Sequence, residues 1–157
     1  MASVPAQNAR VAKVETPEQD GVVKNAEPAG AIPSFRWPVR GRIISGFGAK
    51  TNGQQNDGIN LAVPEGTPVK AAEDGVVAYA GNELKGYGNL VLVRHANGFV
   101  SAYANASEIL VKRGDNVKRG QTIARAGQTG NVTSPQLHFE IRKGSIPVDP
   151  TRYLGGA

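Results

Sequence analysis

The chain has 157 residues, a formal net charge of +5, two histidines and no cysteine. That length suits one domain with a tail. The lack of cysteine excludes disulfides and thiolate metal sites while permitting an oxidising compartment, and no apolar run approaches the roughly 18 residues of a membrane span.

Residues 1–34 are rich in Ala, Pro, Glu, Gln and Asn with no sustained period, and are predicted to form a flexible linker that buries too little apolar surface to order itself. Met1–Pro5 shows no basic-then-apolar signal pattern. The segment sets Arg10, Lys13 and Lys24 against Glu15, Glu18, Asp20 and Glu27, a net −1, which leaves +6 on the rest of the chain. A basic domain favours an anionic partner, whether an acidic protein face, a wall polymer or nucleic acid, although such a charge also serves solubility alone.

At Phe35-Arg36-Trp37-Pro38 the composition changes, and the domain is assigned to residues 35–157. Its twenty glycines and ten prolines, counted over the whole chain, fit short strands and tight turns, because both residues are penalised inside helices. Strands are predicted at 42–47, 59–62, 68–71, 75–80, 90–95, 99–103, 122–126 and 137–142, with the Asn97-Gly98 pair as the strongest hairpin signal. Ser107–Val111 reads equally as a helical turn or an extended segment. The expected fold is all-β, an antiparallel β-sandwich or partly open barrel.

Along the last predicted strand, alternation sends Leu137, Phe139 and Ile141 to one face and Gln136, His138, Glu140 and Arg142 to the other. Glu140 is expected roughly 7 Å from His138, two residues along the strand. The remaining histidine, His95, is expected to be structural, bonded to nearby backbone. A catalytic zinc takes three protein ligands plus an open position for water.

From Gly41 to Leu154 the chain resembles the lysostaphin/LytM-type zinc metallopeptidases that cut peptidoglycan cross-bridges, with the EnvC/NlpD/DipM group of cell-division regulators as its nearest type. The segments that carry the resemblance include Asn56-Asp57-Gly58-Ile59-Asn60, Gly66-Thr67-Pro68-Val69-Lys70-Ala71, Gly86-Tyr87-Gly88-Asn89, Tyr103-Ala104-Asn105 and Leu137-His138-Phe139-Glu140. The resemblance implies a LytM-type fold. It also places the active members' His-x-Gly-x-Asp motif at Asn56 and Asn60, a catalytic histidine at Asn105, and the His-x-His motif at Gln136 and His138. Only His138 keeps its residue type, so no catalytic residue, metal set or cofactor is expected. Asn56, Asn60, Asn105, Gln136 and His138 are expected to line a groove turned over to binding.

What the resemblance implies for function is a non-catalytic periplasmic regulator at the division site. It would bind and activate peptidoglycan hydrolases, N-acetylmuramoyl-L-alanine amidases first and lytic transglycosylases as a further class. Signal and upstream modules are expected outside this sequence. Beside that reading stand a peptidoglycan-binding module using the same groove and a weak residual zinc endopeptidase. A biotinyl-type carrier domain is disfavoured, because Glu73-Asp74-Gly75 occupies one hairpin tip and Met1 is the only methionine. Nucleic-acid binding is disfavoured because Lys112, Arg113, Lys118 and Arg119 lack interleaved aromatics. Residues 1–34 are a candidate cover for the groove.

Overall fold

A computed structural model describes residues 34–49 and 53–155. The predicted linker, apart from Ser34, and its suggested covering of the groove lie outside the described residues. The strands in chain order are β1 (Arg42–Ser45), β2 (Gly48–Ala49), β3 (Gln55–Asn56), β4 (Ile59–Ala62), β5 (Pro68–Lys70), β6 (Gly75–Gly81), β7 (Asn89–Arg94), β8 (Phe99–Ile109), β9 (Asn116–Val117), β10 (Thr122–Ala126), β11 (Gln136–Lys143) and β12 (Ile146–Val148). One main antiparallel sheet runs β1-β4-β11-β8-β7-β6-β9, with β12 added to β11 and β10 bridging β8 to β5. β2 and β3 pair antiparallel in a separate two-stranded sheet. The fold is all-β, antiparallel and not closed, as the spacing of strands and turns predicts.

Each long strand divides its residues by face. In β4, Ile59 and Leu61 are buried while Asn60 and Ala62 are partly exposed; in β11, Leu137, Phe139 and Ile141 are fully buried. These residues meet Val69, Val91, Val93, Tyr103 and Ile123 in the main core. A smaller cluster of Leu90, Ala102 and Ala104 packs with Tyr79, Tyr87 and Leu92 on the other side of β8.

The predicted Asn97-Gly98 turn is present. Asn97 (φ 62°) and Gly98 (φ 79°) reverse the chain between β7 and β8, and the His95 amide donates to the Phe99 carbonyl at 2.8 Å. Ser107–Ile109 resolve as strand, because β8 continues past the predicted end at Tyr103. The continuation is bent at Asn105 (φ 66°), where the register against β7 shifts. Simple alternation would put Ala104 and Ala106 on one face. Instead Ala104 joins the small cluster and Ala106 the main core, as expected where a bulge re-aims the chain.

His95 has the structural setting expected of it. Its Nδ1 faces the Asp74 carbonyl oxygen at 2.7 Å and must carry the proton. Nε2 then accepts from the Ser101 hydroxyl, also at 2.7 Å, and Ser101 Oγ lies 2.7 Å from the Tyr103 hydroxyl, which accepts the Ala72 amide.

Candidate functional site

β11 lies between β4 and β8, so His138 has Asn60 as its cross-strand neighbour on one side and Ala104 on the other. Side chains directly opposite on one face are in contact range, and the small Ala104 leaves the imidazole room. The β3–β4 turn brings Asn56 to the same place. A Cβ on Gly58 would lie 2.2 Å from the Phe139 carbonyl oxygen, so only glycine lets this turn rest on β11.

A continuous hydrogen-bonded row results. Asn56 Nδ2 donates to Ser45 Oγ at 3.0 Å and to Asn60 Oδ1 at 3.1 Å, while Asn56 Oδ1 accepts from the Gly58 amide. Asn60 Nδ2 donates to Gln136 Oε1 at 2.7 Å, and Gln136 Nε2 turns to the Ser134 carbonyl at 3.1 Å. His138 Nδ1 faces Asn60 Oδ1 at 3.1 Å. The structure thus brings four of the five sequence-derived positions, Asn56, Asn60, Gln136 and His138, into one network.

Asn105 stands apart from it. Its side chain is 2 % exposed, and Nδ2 donates to the backbone carbonyls of Thr129 at 2.7 Å and Tyr87 at 3.3 Å. It clamps the loop before β7 to the loop before β11.

Below the amides lies a charged group that sequence reasoning did not assemble. Glu140, 2 % exposed, accepts from His138 Nε2 at 2.8 Å, from the Tyr87 hydroxyl at 3.2 Å and from Arg142 Nε at 2.7 Å. Arg142 also reaches Asp57 at 3.7 Å. The 7 Å expectation therefore holds only for backbone spacing: long side chains two apart on one face lean together, and the His-x-Glu-x-Arg alternation was the available signal. Burial pushes the Glu140 carboxyl up, but the hydrogen bonds and charges of His138 and Arg142 outweigh it and hold it below the usual carboxylate range. Burial would lower Arg142, yet its bond to Glu140 leaves it raised; the Tyr87 phenol is pushed up by burial and by the Glu140 charge.

A groove of about 400 Å³ opens over Asn56, Asn60 and Gln136. Six of its lining residues are carboxamides, Gln54, Gln55, Asn56, Asn60, Asn131 and Gln136, joined by Ile44, Val132 and hydroxyl residues, and none of the described residues that line it is charged. Gln54 and Asn131 lie in loops and Gln55 in the two-residue β3, too short to carry a period, which is why strand alternation did not find them.

The zinc that the resemblance implies does not fit these residues. Asn60 offers a carboxamide oxygen already engaged by Asn56, Asn56 and Gln136 offer only further carboxamides, and His138 is the one imidazole facing them.

The basic residues 112–119 are partly matched internally, with Lys112 3.3 Å from Asp115 and Arg119 3.8 Å from Glu73. Among the described residues no helix is long and apolar enough to cross a membrane.

Comparison with known proteins extends this picture. The cell division protein DipM of Caulobacter vibrioides is 51 % identical over 126 residues, covering 76 % of this chain and 21 % of that protein. The murein hydrolase activator NlpD of Escherichia coli is 46 % identical over 123 residues, covering 78 % and 32 % respectively. The chain thus spans about a fifth to a third of the length of these curated relatives. A zinc-containing peptidase from Vibrio cholerae shares the fold with a TM-score of 0.67 and 36 % identity, over 75 % of this chain and 39 % of that one. The sequence model for peptidase family M23 matches residues 54–150, from the glutamines of the groove through β11 to the turn after β12, and the chain belongs to that family.

Proposed function

We propose that this chain is the LytM-type domain of a catalytically silent cell-envelope regulator, which docks a peptidoglycan hydrolase in the amide-lined groove and stabilises its active state. The carrying observation is the row Asn56–Asn60–Gln136, whose carboxamides satisfy one another where the family resemblance places metal ligands and a catalytic base. Carboxamides neither hold a hard dication well nor take protons near neutral pH. The frame around them is retained, down to the glycine that seats the β3–β4 turn on β11.

Relatives named as a murein hydrolase activator and a cell division protein support a cell-wall regulatory role. Neutral donors and acceptors along a shallow groove suit an extended peptide or the polar edge of a partner helix. Activation then follows from differential affinity: a groove that binds the open hydrolase better than the autoinhibited one shifts the population toward the open form. An N-acetylmuramoyl-L-alanine amidase is the first partner class and a lytic transglycosylase the second, with the periplasmic division site as the place of action.

Dye release from labelled sacculi tests this with the chain alone, an amidase alone and both together. The expected result is no release by the chain alone and stimulated release by the pair. Gln55 and Thr133 lie exposed at the groove, so Gln55→Arg with Thr133→Arg should remove most of the stimulation without disturbing the fold. Release by the chain alone overturns catalytic silence; full stimulation by the double variant overturns groove docking.

A further inference from the structure

β1 ends the main sheet. It pairs with β4 on one side, and among the described residues no strand pairs with it on the other. Register fixes the faces of this edge. Arg42 lies opposite Ala62 and shares the outer face with Asn60, while Ile43 lies opposite Leu61 on the core side. Leu61 is fully buried, yet Ile43 is 41 % exposed, and Ile44 beside it is 40 % exposed. The core-side row therefore stays open at its rim.

An edge strand presents unpaired N–H and C=O groups, and proteins guard such edges with charge, proline or bulges. β1 carries two of these guards, Arg42 and a bulge between Ile43 and Ser45. It has no proline, and its only charge is positive. Arg40 and Arg42 are both exposed, and neither has an ion pair among the described residues. At the same end of β1 a cavity of about 570 Å³ adds Trp37 and Lys70, and none of the described residues that line it is acidic. The Lys70 amide donates to the Pro38 carbonyl at 2.9 Å, which holds that wall against the approach to β1.

We propose that the β1 edge docks an extended acidic segment of a partner protein, added as a further strand of the main sheet. The partner's backbone supplies the groups that complete the open N–H and C=O row. Its apolar residues cover Ile43 and Ile44, and its carboxylates meet Arg40, Arg42 and, at the cavity end, Lys70. A second copy of this chain is the wrong occupant, since it brings the same arginines together on a chain of net charge +5. An anionic membrane satisfies the cations but offers no ladder to the backbone row, which its apolar layer leaves unpaired. The guard on this edge thus rejects self-association and selects carboxylates. Strand docking here does not depend on hydrolase docking in the amide groove, although Ile44 borders both surfaces.

The single tryptophan lies at the cavity end of the edge and gives a fluorescence readout. The purified chain is titrated with an alternating Glu-Val peptide, its Lys-Val counterpart, a fully N-methylated Glu-Val peptide and phosphatidylglycerol vesicles. The plain acidic peptide should bind saturably, at least about tenfold more tightly than the basic or the N-methylated one, and should slow amide exchange at residues 41–44. Arg40→Glu with Arg42→Glu should turn the preference to the basic peptide. Gln55→Arg with Thr133→Arg should leave acidic-peptide affinity within about twofold. If the charge-reversed variant does not fold, the ranking of the three peptides by the unaltered chain still decides. Equal affinity for the plain and N-methylated peptides would reduce the contact to charge alone and overturn the proposal. Binding confined to vesicles, a dimer formed through β1, or neither a saturable response nor slowed exchange overturns it as well. No amidase stimulation by the unaltered chain, with the acidic peptide still bound at β1, overturns the groove reading alone.

Discussion

Asn60 and His138 face each other across the β4–β11 pair, with the amide oxygen of one 3.1 Å from Nδ1 of the other. With Nε2 turned to the Glu140 carboxylate, Nδ1 is the ring nitrogen that faces the amide row, and it meets a carboxamide there. A carboxylate at residue 60 and an imidazole at residue 56 would replace the row's closed hydrogen bonds with a convergent ligand set. Asn56→His combined with Asn60→Asp is therefore expected to bind about one equivalent of zinc through residues 56, 60 and His138, while the unaltered chain binds none. Equilibrium dialysis with elemental analysis measures it, and a double variant that stays metal-free would show that the second coordination layer, Glu140 included, also opposes the ion.

Glu140 anchors three donors from a nearly closed position, so its removal leaves Arg142 and the His138 ring without their acceptor. Truncating one member of a buried charged pair typically costs about 3–5 kcal/mol, and Glu140→Ala should lose stability at the low end of that range because Arg142 keeps partial solvent access and Asp57. The carboxyl is held below its ordinary value of 4.5. A depressed folded-state value stabilises the protein above the unfolded-state value and loses that contribution as pH falls through the folded one. Urea midpoints below about pH 4.5 should consequently fall less steeply in Glu140→Gln than in the parent.

The His95 prediction covers a higher window. Burial pushes this imidazole down to about 4 from 6.5, against the Asp74 carbonyl bond, which favours the charged ring. Between those values the unfolded chain takes up a proton that the folded chain refuses, so stability is complete above about pH 6.5 and declines toward pH 4. One proton corresponds to a slope of at most about 1.4 kcal/mol per pH unit. His95→Gln should flatten the stability profile in that interval by close to one proton, as read from urea midpoints at successive pH values. An unchanged slope would remove His95 as its source.

Much of this architecture is legible in the sequence because it rests on local rules. Alternation in Ile59–Ala62 and Leu137–Arg142 fixes which face is core, and Asn97-Gly98 marks a reversal by its tolerance of positive φ. The convergence of Asn56, Asn60, Gln136 and His138 followed from family resemblance rather than from any local pattern. Two-residue strands such as Gly48–Ala49 and Asn116–Val117 are too short to carry a period. The Glu140 cluster escaped because backbone spacing was used where side-chain reach decides. Asn105 is illegible for a different reason: its role depends on a bulge and on carbonyls of residues 87 and 129, none of which leaves a mark in nearby sequence.

Asn105 also permits a prediction that separates two contributions to the groove. It holds φ 66°, a conformation that asparagine tolerates better than most residues, and its amide hydrogens satisfy the Thr129 and Tyr87 carbonyls. Asn105→Gly removes the bonds while relieving the backbone; Asn105→Ala removes the bonds and adds the cost of a left-handed alanine. Losing a buried partner costs about 1–3 kcal/mol and left-handed backbone adds about 1 kcal/mol, so alanine should be the more destabilising by about that last amount. Both variants should speed amide exchange at Asn131, whose N–H donates to the Gly86 carbonyl at 3.2 Å across the same clamp. Equal stabilities for the two would mean that the bonds alone matter. Exchange at Asn131 that does not change would mean that Asn105 does not hold the groove loop, and the loop's order would then have to come from Gly130, which leaves no space for a Cβ against Gly86 and Gly88.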